Sequence, residues 1–239
     1  MSKFISVTWS EGIDDRESEI LVDTIDHTLR HLYMNHPAAL IEPPIQVHVF
    51  GNWVIPALSP DQPYSGSQWY VEASYDTDLQ RVIAPTFLEL VRREPWQVAD
   101  PHFDLALLDE DLTDFPAPVA RFVPDHYSLG SSFPGTTAVM SVYRVRMLSD
   151  DYVRELALAR LVRHHLGHVL AVPDFGRETN VERMGLETHC TNMCVMRNAT
   201  TVEELASMAI EESEMGWPFC DQCTRDLNTL VVRHTFNWN

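Results

Sequence analysis

Basic residues are scarce in this 239-residue chain, which has 17 Lys and Arg against 35 Asp and Glu and a formal net charge of -18. A nucleic-acid-binding surface needs clustered Lys and Arg, so this composition argues against one. No stretch approaches the roughly 20 apolar residues of a membrane span, and the first residues, MSKFISVTWSEG, lack a signal peptide's apolar run. We therefore expect a soluble cytoplasmic protein without nucleic-acid or membrane partners.

Cysteine is missing from the first 189 residues, and four cysteines follow: Cys190, Cys194, Cys220 and Cys223. In a reducing compartment such a group favours a metal site over a disulfide framework. The CxxxC pair and the later CxxC pair can place four thiolates tetrahedrally around one zinc ion. We predict a four-cysteine zinc site, and the alternative is a set of free buried thiols.

Repeats and low-complexity segments are also missing, while 45% of the residues are hydrophobic, enough for an ordinary core. Periodicity of two predicts strands at 3–9, 45–50, 68–75, 103–111 and 137–147. Helical periodicity predicts helices at 18–32, 79–93 with a kink at Pro85, 152–172 and 201–215. As far as residue 172 the order is β-α-β-β-α-β-β-α, which describes an α/β or α+β domain, and the helix at 201–215 follows. Residues 56–66 are predicted as a loop, and the acidic run at 211–214 as a solvated face.

The long helix contains the sequence RHHLGH at residues 163–168. Positions i and i+4 lie on one face of a helix, so His164 and His168 can direct both imidazoles at one ion. This is the geometry of the zinc-protease motif HExxH. The alternative is that the helix merely carries three of the chain's 11 histidines.

Residues 103–225 resemble the archaemetzincins, metzincin zinc peptidases whose pattern runs HExxHxxGxxHC, a second Cys, CxM and later CxxC. LALLDEDL at 105–112, AVMSVYRVR at 138–146 and CVM at 194–196 also look like family segments. The resemblance implies a metzincin-like zincin fold: a twisted mixed sheet with packed helices and an active-site helix at 152–172. It also implies two lobes in one compact domain, 1–172 and 173–239, the second of them small and holding the structural zinc site.

The resemblance assigns roles to individual residues. His164 and His168 would be the first two ligands of an active-site zinc, and Met196 would be the Met-turn residue beneath it. The four cysteines would hold a second, structural zinc. For the third active-site ligand we favour His189, which keeps its place beside Cys190 after an insert at 175–188, and Asp174, which stands in strict register, is the alternative.

Two departures from the family pattern concern the histidine site. Ala171 replaces a turn glycine, which predicts a locally different turn. His165 replaces the glutamate that takes a proton from zinc-bound water and delivers it to the leaving amine in the peptidase mechanism. A neutral imidazole can accept a proton, but beside a dication its basicity falls, and it adds no balancing negative charge.

We therefore expect a zinc metallopeptidase acting on peptides or proteins, with impaired or atypical hydrolysis because His165 occupies the general-base position. A pseudo-peptidase that binds peptides or protein partners without cutting them is the alternative. A purely structural zinc domain is the third reading. The substrate cleft is expected beneath an edge strand near 120–131, with Arg144 and Tyr143 either contacting substrate or fastening strand to helix. His126, His102 and Glu187 are expected in loops, where they could be further bases, although nothing in their spacing favours that role over solvated side chains.

Overall fold

The computed structural model describes residues 3–34, 36–53 and 62–235. Its strands are β1 Lys3–Trp9, β2 Ile45–Gly51, β3 Tyr75–Asp76, β4 Arg81–Ile83, β5 Phe103–Leu108, β6 Leu112–Thr113, β7 Gly130–Phe133, β8 Thr137–Ser141, β9 Val181–Met184 and β10 Glu187–Cys190. Its helices are α1 Asp15–Tyr33, α2 Pro37–Ile41, α3 Ser67–Ser74, α4 Ala84–Arg92, α5 Pro95–Ala99, α6 Ala117–Ala120, α7 Asp151–Val169, α8 Val202–Ser213 and α9 Asp221–Thr235. Part of the predicted loop at 56–66 lies outside the described residues.

The main sheet has five strands in the order β2-β1-β5-β8-β7. Its first four strands are parallel, and β7 pairs antiparallel with β8 at one edge. Side chains alternate between the two faces of a strand. Ile5, Val7, Leu105 and Leu107 therefore share one face, and they pack in the core cluster that includes apolar residues of α1 and α7.

The opposite face of the sheet carries a second core cluster. Ala106, Leu108 and Val139 pack there against apolar residues of α3 and α4, including Val71 and Leu88. The sheet is thus covered on both faces, which explains why all six residues of β5 are buried.

Side-chain caps mark where three of the long helices begin. Asp14 caps α1 through a capping box with Glu17, and Asp150 accepts the N–H of Val153 at the start of α7. Thr201 accepts the N–H of Glu204 at the start of α8. These helices lie close to the predicted ranges 18–32, 152–172 and 201–215.

Three predicted elements need correction. Residues 68–74 belong to helix α3 rather than to a strand, because the buried positions of α3, 67, 70, 71 and 74, follow a helical period, and only Tyr75 is in a strand. The helix predicted at 79–93 begins at Ala84, so Pro85 lies in its first turn and causes no kink. The strand predicted at 137–147 ends at Ser141, because its partner β5 ends at Leu108.

The acidic run near the end of α8 is not simply a solvated face. Glu212 is 6% exposed, and its Oε2 lies 3.1 Å from Nε of Arg160, which is 2% exposed. Glu211 remains on the surface, where it pairs with Arg197 at 3.0 Å. The run therefore contributes one buried ion pair between α7 and α8.

The observed mixed α/β architecture confirms the predicted fold class: a mixed sheet with helices packed on it and a C-terminal cluster of four cysteines. The division into lobes at residue 172 stays a prediction. Within the described ranges, no helix combines the length and the apolarity needed to cross a bilayer.

Candidate metal centre

His164 and His168 lie one turn apart near the C-terminal end of α7 and are 5% and 1% exposed. Their Nε2 atoms are 3.1 Å apart. Burial and neighbouring imidazoles hold the pKa of both rings well below the usual range. Both rings are therefore neutral at pH 7, which is the form that binds metals.

A backbone contact orients the first of these rings. Nδ1 of His164 lies 2.8 Å from the carbonyl oxygen of Val195. Because a carbonyl oxygen can only accept, Nδ1 carries the proton and Nε2 keeps its lone pair. This arrangement, with one ring nitrogen tied to a backbone oxygen, is typical of metal-binding histidines.

His189 reaches the same place from β10. Its ring centroid is 4.9 Å from that of His168 and 5.4 Å from that of His164, and the side chain is 1% exposed. Neither of its ring nitrogens has a hydrogen-bond partner among the described residues. A buried imidazole without a partner is unusual, and a metal ion would satisfy it.

The three histidines fit a zinc ion. One ring nitrogen from each lies within 4.8 Å of the others. Zn–N distances of about 2.0–2.1 Å in a tetrahedron place ligand nitrogens roughly 3.4 Å apart. The separation of 3.1 Å between His164 and His168 is close to that value, and His189 places a ring nitrogen within 4.8 Å of both.

Asp174, the alternative third ligand, lies elsewhere. Its exposed side chain accepts the N–H of Gly176 at 2.8 Å, and its own N–H donates to Asp226. It does not belong to the group of donors around His164 and His168. The structure therefore brings His189 and not Asp174 to the histidine pair.

His165 projects toward the edge strand β7. A Cβ atom placed on Gly130 would stand 2.2 Å from Nε2 of His165, so only glycine leaves room for this ring. Nδ1 has no hydrogen-bond partner among the described residues, and burial lowers the pKa of His165 to about 3. The imidazole of His165 is therefore buried, neutral and tightly packed.

Glu187 brings a carboxylate to the same site. It lies on β10 rather than in a loop, and its Oε2 is 3.3 Å from Nε2 of His189. Its Oε1 accepts hydrogen bonds of 2.6 Å from both the backbone and the hydroxyl of Ser132. Burial raises the pKa of Glu187 to about 7. The spacing Glu-x-His on one strand places both side chains on one face, a signal that sequence reasoning passed over.

The four cysteines converge from the end of β10, the following turn and the start of α9. One Sγ from each lies within 4.8 Å of the others, and those of Cys190 and Cys220 are 3.7 Å apart. Zn–S distances of about 2.3 Å in a tetrahedron place sulfurs roughly 3.8 Å apart. None of the four forms a disulfide. The donor set therefore fits a closed structural zinc site.

Nearby side chains donate to these sulfurs. Arg177 Nη1 lies 3.4 Å from Sγ of Cys223, and Asn192 Nδ2 lies 3.5 Å from Sγ of Cys220. Hydrogen bonds from two neighbouring thiols also lower the pKa of Cys190. Such donors stabilise thiolates, the form that binds zinc.

Met196 packs directly beneath the histidine helix. A Cβ atom on Gly167 would stand 2.3 Å from Sδ of Met196, which is fully buried. The Met196 carbonyl accepts the N–H of Cys190 at 2.9 Å. This is the position that the Met-turn interpretation requires, although the assignment itself stays a prediction.

In the turn after α7, Ala171 adopts a left-handed backbone conformation. Ala171 has φ of 57°, a conformation that glycine adopts freely and alanine adopts at a cost. Its N–H donates to the carbonyl of His168 at 2.9 Å. Alanine thus takes a conformation that glycine adopts more easily, and the expectation of a locally different turn stays a prediction.

A cleft of about 480 Å³ borders the histidines. His164, His165, His189 and Glu187 line one side of it, and residues 126–130 line another. The edge strand itself is Gly130–Phe133, shorter and later than the predicted 120–131, where α6 occupies 117–120.

Other candidate residues have structural partners. Arg144 Nε donates to buried Asp111 at 3.0 Å, and its guanidinium stacks over Tyr127. Tyr143 is 41% exposed and, like Arg144, is not among the residues lining the cleft.

Two further histidines were expected to be solvated. His126 does line the cleft, where its Nε2 lies 2.6 Å from Asp114. His102 is buried elsewhere, with Asp104.

No protein-family model and no curated protein sequence matches this chain. Among solved structures, the crystal structure of archaemetzincin from Methanopyrus kandleri matches it with a TM-score of 0.58 and 18% sequence identity. The match covers 97% of this chain and 96% of that chain. At this identity the likeness establishes the fold, so the chain has the mixed α/β fold of an archaemetzincin.

Proposed function

We propose that this protein is a zinc-dependent metallopeptidase of archaemetzincin type, with impaired or atypical peptide hydrolysis. The observation that best supports this proposal is that His164, His168 and His189 converge beside a cleft. The Nε2 atoms of His164 and His168 are 3.1 Å apart. A zinc ion held there would polarise a scissile carbonyl and lower the pKa of water. The four cysteines would hold a second zinc ion with a structural role.

The chain's own residues would then bind and orient the reactants. The cleft borders β7, the edge strand of the sheet, and edge strands pair with extended peptides. Glu187 would accept a hydrogen bond from the attacking water, because Ser132 fixes its carboxyl beside His189. This supplies a carboxylate from β10 in place of the one that α7 lacks at His165.

The packing of His165 favours a second candidate, a pseudo-peptidase that binds peptides or protein partners without cutting them. The ring is 3% exposed and lies close to Gly130 at the wall of the cleft, and as a buried neutral imidazole it brings no negative charge to activate water. Cleft, fold and both metal sites would persist in such a protein, and only hydrolysis would be lost.

Hydrolysis of a fluorogenic peptide library by the zinc-loaded protein separates the two candidates. A slow activity that His164→Ala abolishes supports the peptidase, and His165→Glu should raise it by a factor on the order of 10²–10⁴, the usual contribution of a general base. Vigorous native activity that His165→Glu does not improve would contradict impairment. Peptide binding without any cleavage by the native protein supports the pseudo-peptidase.

A further inference from the structure

The face of the sheet that packs against α3 and α4 contains a cavity of about 200 Å³. From β1 and β5 it is lined by four small or polar residues, Ser6, Thr8, Asp104 and Ala106, together with the bulkier Phe4, Trp9 and Leu108. Protein interiors are normally packed without voids of this size. The sequence thus leaves space between the layers where bulky side chains would have filled it.

Aromatic rings form much of the wall of this cavity. They come from seven residues: Phe4, Trp9, Phe50, Trp53, Tyr70, Phe87 and Trp96. Trp53 and Trp96 meet at a centroid distance of 5.7 Å in a T-shaped arrangement, and Phe50 is 47% exposed. A cavity of about 150 Å³ accommodates benzene. The space therefore suits one aromatic ring with a short chain.

Three buried ionisable groups meet at this cavity. Glu94, His102 and Asp104 each place one polar atom within 4.8 Å of the others, and Nε2 of His102 is 3.2 Å from Asp104. Tyr70 donates its hydroxyl to Glu94. Two carboxyl groups face one imidazole, and neither Lys nor Arg lines the cavity among the described residues. Even a protonated His102 would compensate only one of the two carboxylates.

Two buried hydroxyl groups that line the cavity lack partners. Thr137 is 0% exposed and Ser67 is 7% exposed, and neither hydroxyl makes a hydrogen bond within the described part of the chain. Buried hydroxyl groups are nearly always hydrogen-bonded. These two point to an occupant that carries a polar group.

We propose that this cavity binds a small organic cation of the arylalkylamine class. The ammonium group would lie at the carboxyls of Glu94 and Asp104, and the ring would lie among the aromatic side chains, which also attract cations through their faces. An anionic ligand would meet two carboxyls without a compensating cation. A neutral hydrocarbon would leave the polar groups unpaired.

The state of Glu94 supports this assignment. Burial, with a smaller contribution from the charge of Asp104, raises the pKa of Glu94 to about 8, and the Tyr70 hydroxyl and His102 only partly offset this rise. The same observation makes Glu94→Gln a mild substitution, because a neutral amide replaces a largely neutral carboxyl of the same shape.

Calorimetric titration of the zinc-loaded full chain with 2-phenylethylamine tests the proposal, with 2-phenylethanol as the uncharged isostere and phenylacetate as the anion. The amine should bind at least tenfold more tightly than the alcohol, and phenylacetate should not bind. Glu94→Gln should weaken the amine at least tenfold and leave the alcohol unchanged. Glu110→Gln is the matched control, because this partly buried carboxyl also has a raised pKa, about 7, but does not line the cavity.

Ala106→Leu, which fills the cavity, should remove binding of both the amine and the alcohol. This second variant keeps the proposal testable if Glu94→Gln fails to fold. Equal binding of amine and alcohol, amine binding that survives both substitutions, or no binding of any probe would overturn the proposal. A zinc or manganese ion held at Glu94, without amine binding, would overturn it in favour of a third metal site. None of these outcomes depends on peptide hydrolysis.

Discussion

Nδ1 of His164 donates a hydrogen bond of 2.8 Å to the carbonyl oxygen of Val195. Val195 stands between Cys194 and Met196, and His189 precedes Cys190 directly. One short segment thus carries two of the four cysteines, one histidine of the other cluster and the group that orients His164. Residues 189–196 therefore contribute to both candidate metal sites, so a structural change at one site should affect the other.

Because the two sites share this segment, loss of zinc from the cysteine site should also weaken metal binding at the histidine site. Cys220→Ser should remove the structural zinc and loosen residues 189–196, so metal content should fall by more than one equivalent. A loss of about 3 kcal/mol would lower the melting temperature of a domain of this size by roughly 6–12 °C. Metal analysis and calorimetric melting measure both effects.

Asp221→Asn is the matched control for that variant, because it alters the neighbouring exposed residue without removing a thiol. It should leave both metal content and melting temperature unchanged. A Cys220→Ser protein that melts like the native protein would show that the four cysteines hold no metal coupled to folding.

The third ligand of the histidine site can be assigned by metal content. His189→Ala should lower zinc content from two equivalents per chain to one, because among the described residues it is His189 that joins His164 and His168 in space. Asp174→Ala should retain both equivalents, because its exposed carboxyl bonds to Gly176 instead. The opposite pattern would make Asp174 the ligand. Unchanged zinc in His189→Ala and His164→Ala would indicate a purely structural zinc protein.

The carboxylate of Glu187 should matter for any hydrolysis. Glu187→Gln keeps the size of the side chain but weakens its ability to accept a proton or orient water, so peptide cleavage should fall by a factor on the order of 10²–10⁴. Zinc content should stay at the native value, which separates this effect from ligand loss. Glu182→Gln, an exposed position on the paired strand β9, is the control and should cleave at the native rate.

Spacing in the sequence was enough to predict the local geometry of both clusters. The i, i+4 pair on α7 and the two short cysteine loops depend only on nearby residues, so period and spacing determine them. The positions of Glu187 and Gly130 depend on how β10 and β7 pack against α7, which is a long-range relationship. For that reason the carboxylate at His189 and the packing of His165 became visible only in the folded chain.

The errors in secondary structure have a similar origin. Aromatic and β-branched residues at 68–75 predicted a strand, but Tyr70 and Val71 are buried on one face of helix α3 by contacts with α4. Glu212 was expected on a solvated face because it belongs to an acidic run with Glu211 and Glu214. Its burial depends on Arg160, 52 positions earlier on another helix, and no local pattern reveals that pair.

The buried pair of Arg160 and Glu212 should be important for stability. Glu212→Ala leaves the Arg160 guanidinium buried without its carboxylate partner, which costs about 3–5 kcal/mol for such pairs. Glu211→Ala is the control on the same helix, because its side chain is 47% exposed and its pair with Arg197 should contribute at most about 1 kcal/mol. Urea unfolding of both variants measures the difference, and equal losses would contradict a special role for the buried pair.

The left-handed conformation of Ala171 predicts a stabilising substitution. A residue with a Cβ atom at φ of 57° costs about 1–2 kcal/mol, and glycine removes that cost while adding about 0.5–1 kcal/mol of chain entropy in the unfolded state. Ala171→Gly should therefore stabilise the protein by about 0.5–1 kcal/mol, measured by urea unfolding. Ala159→Gly, inside α7, should instead destabilise it by about 1 kcal/mol, because helical alanine bears no such strain. The two substitutions make the same chemical change, so opposite signs would isolate the backbone conformation as the cause, and a loss of stability in both would show that Ala171 is not strained.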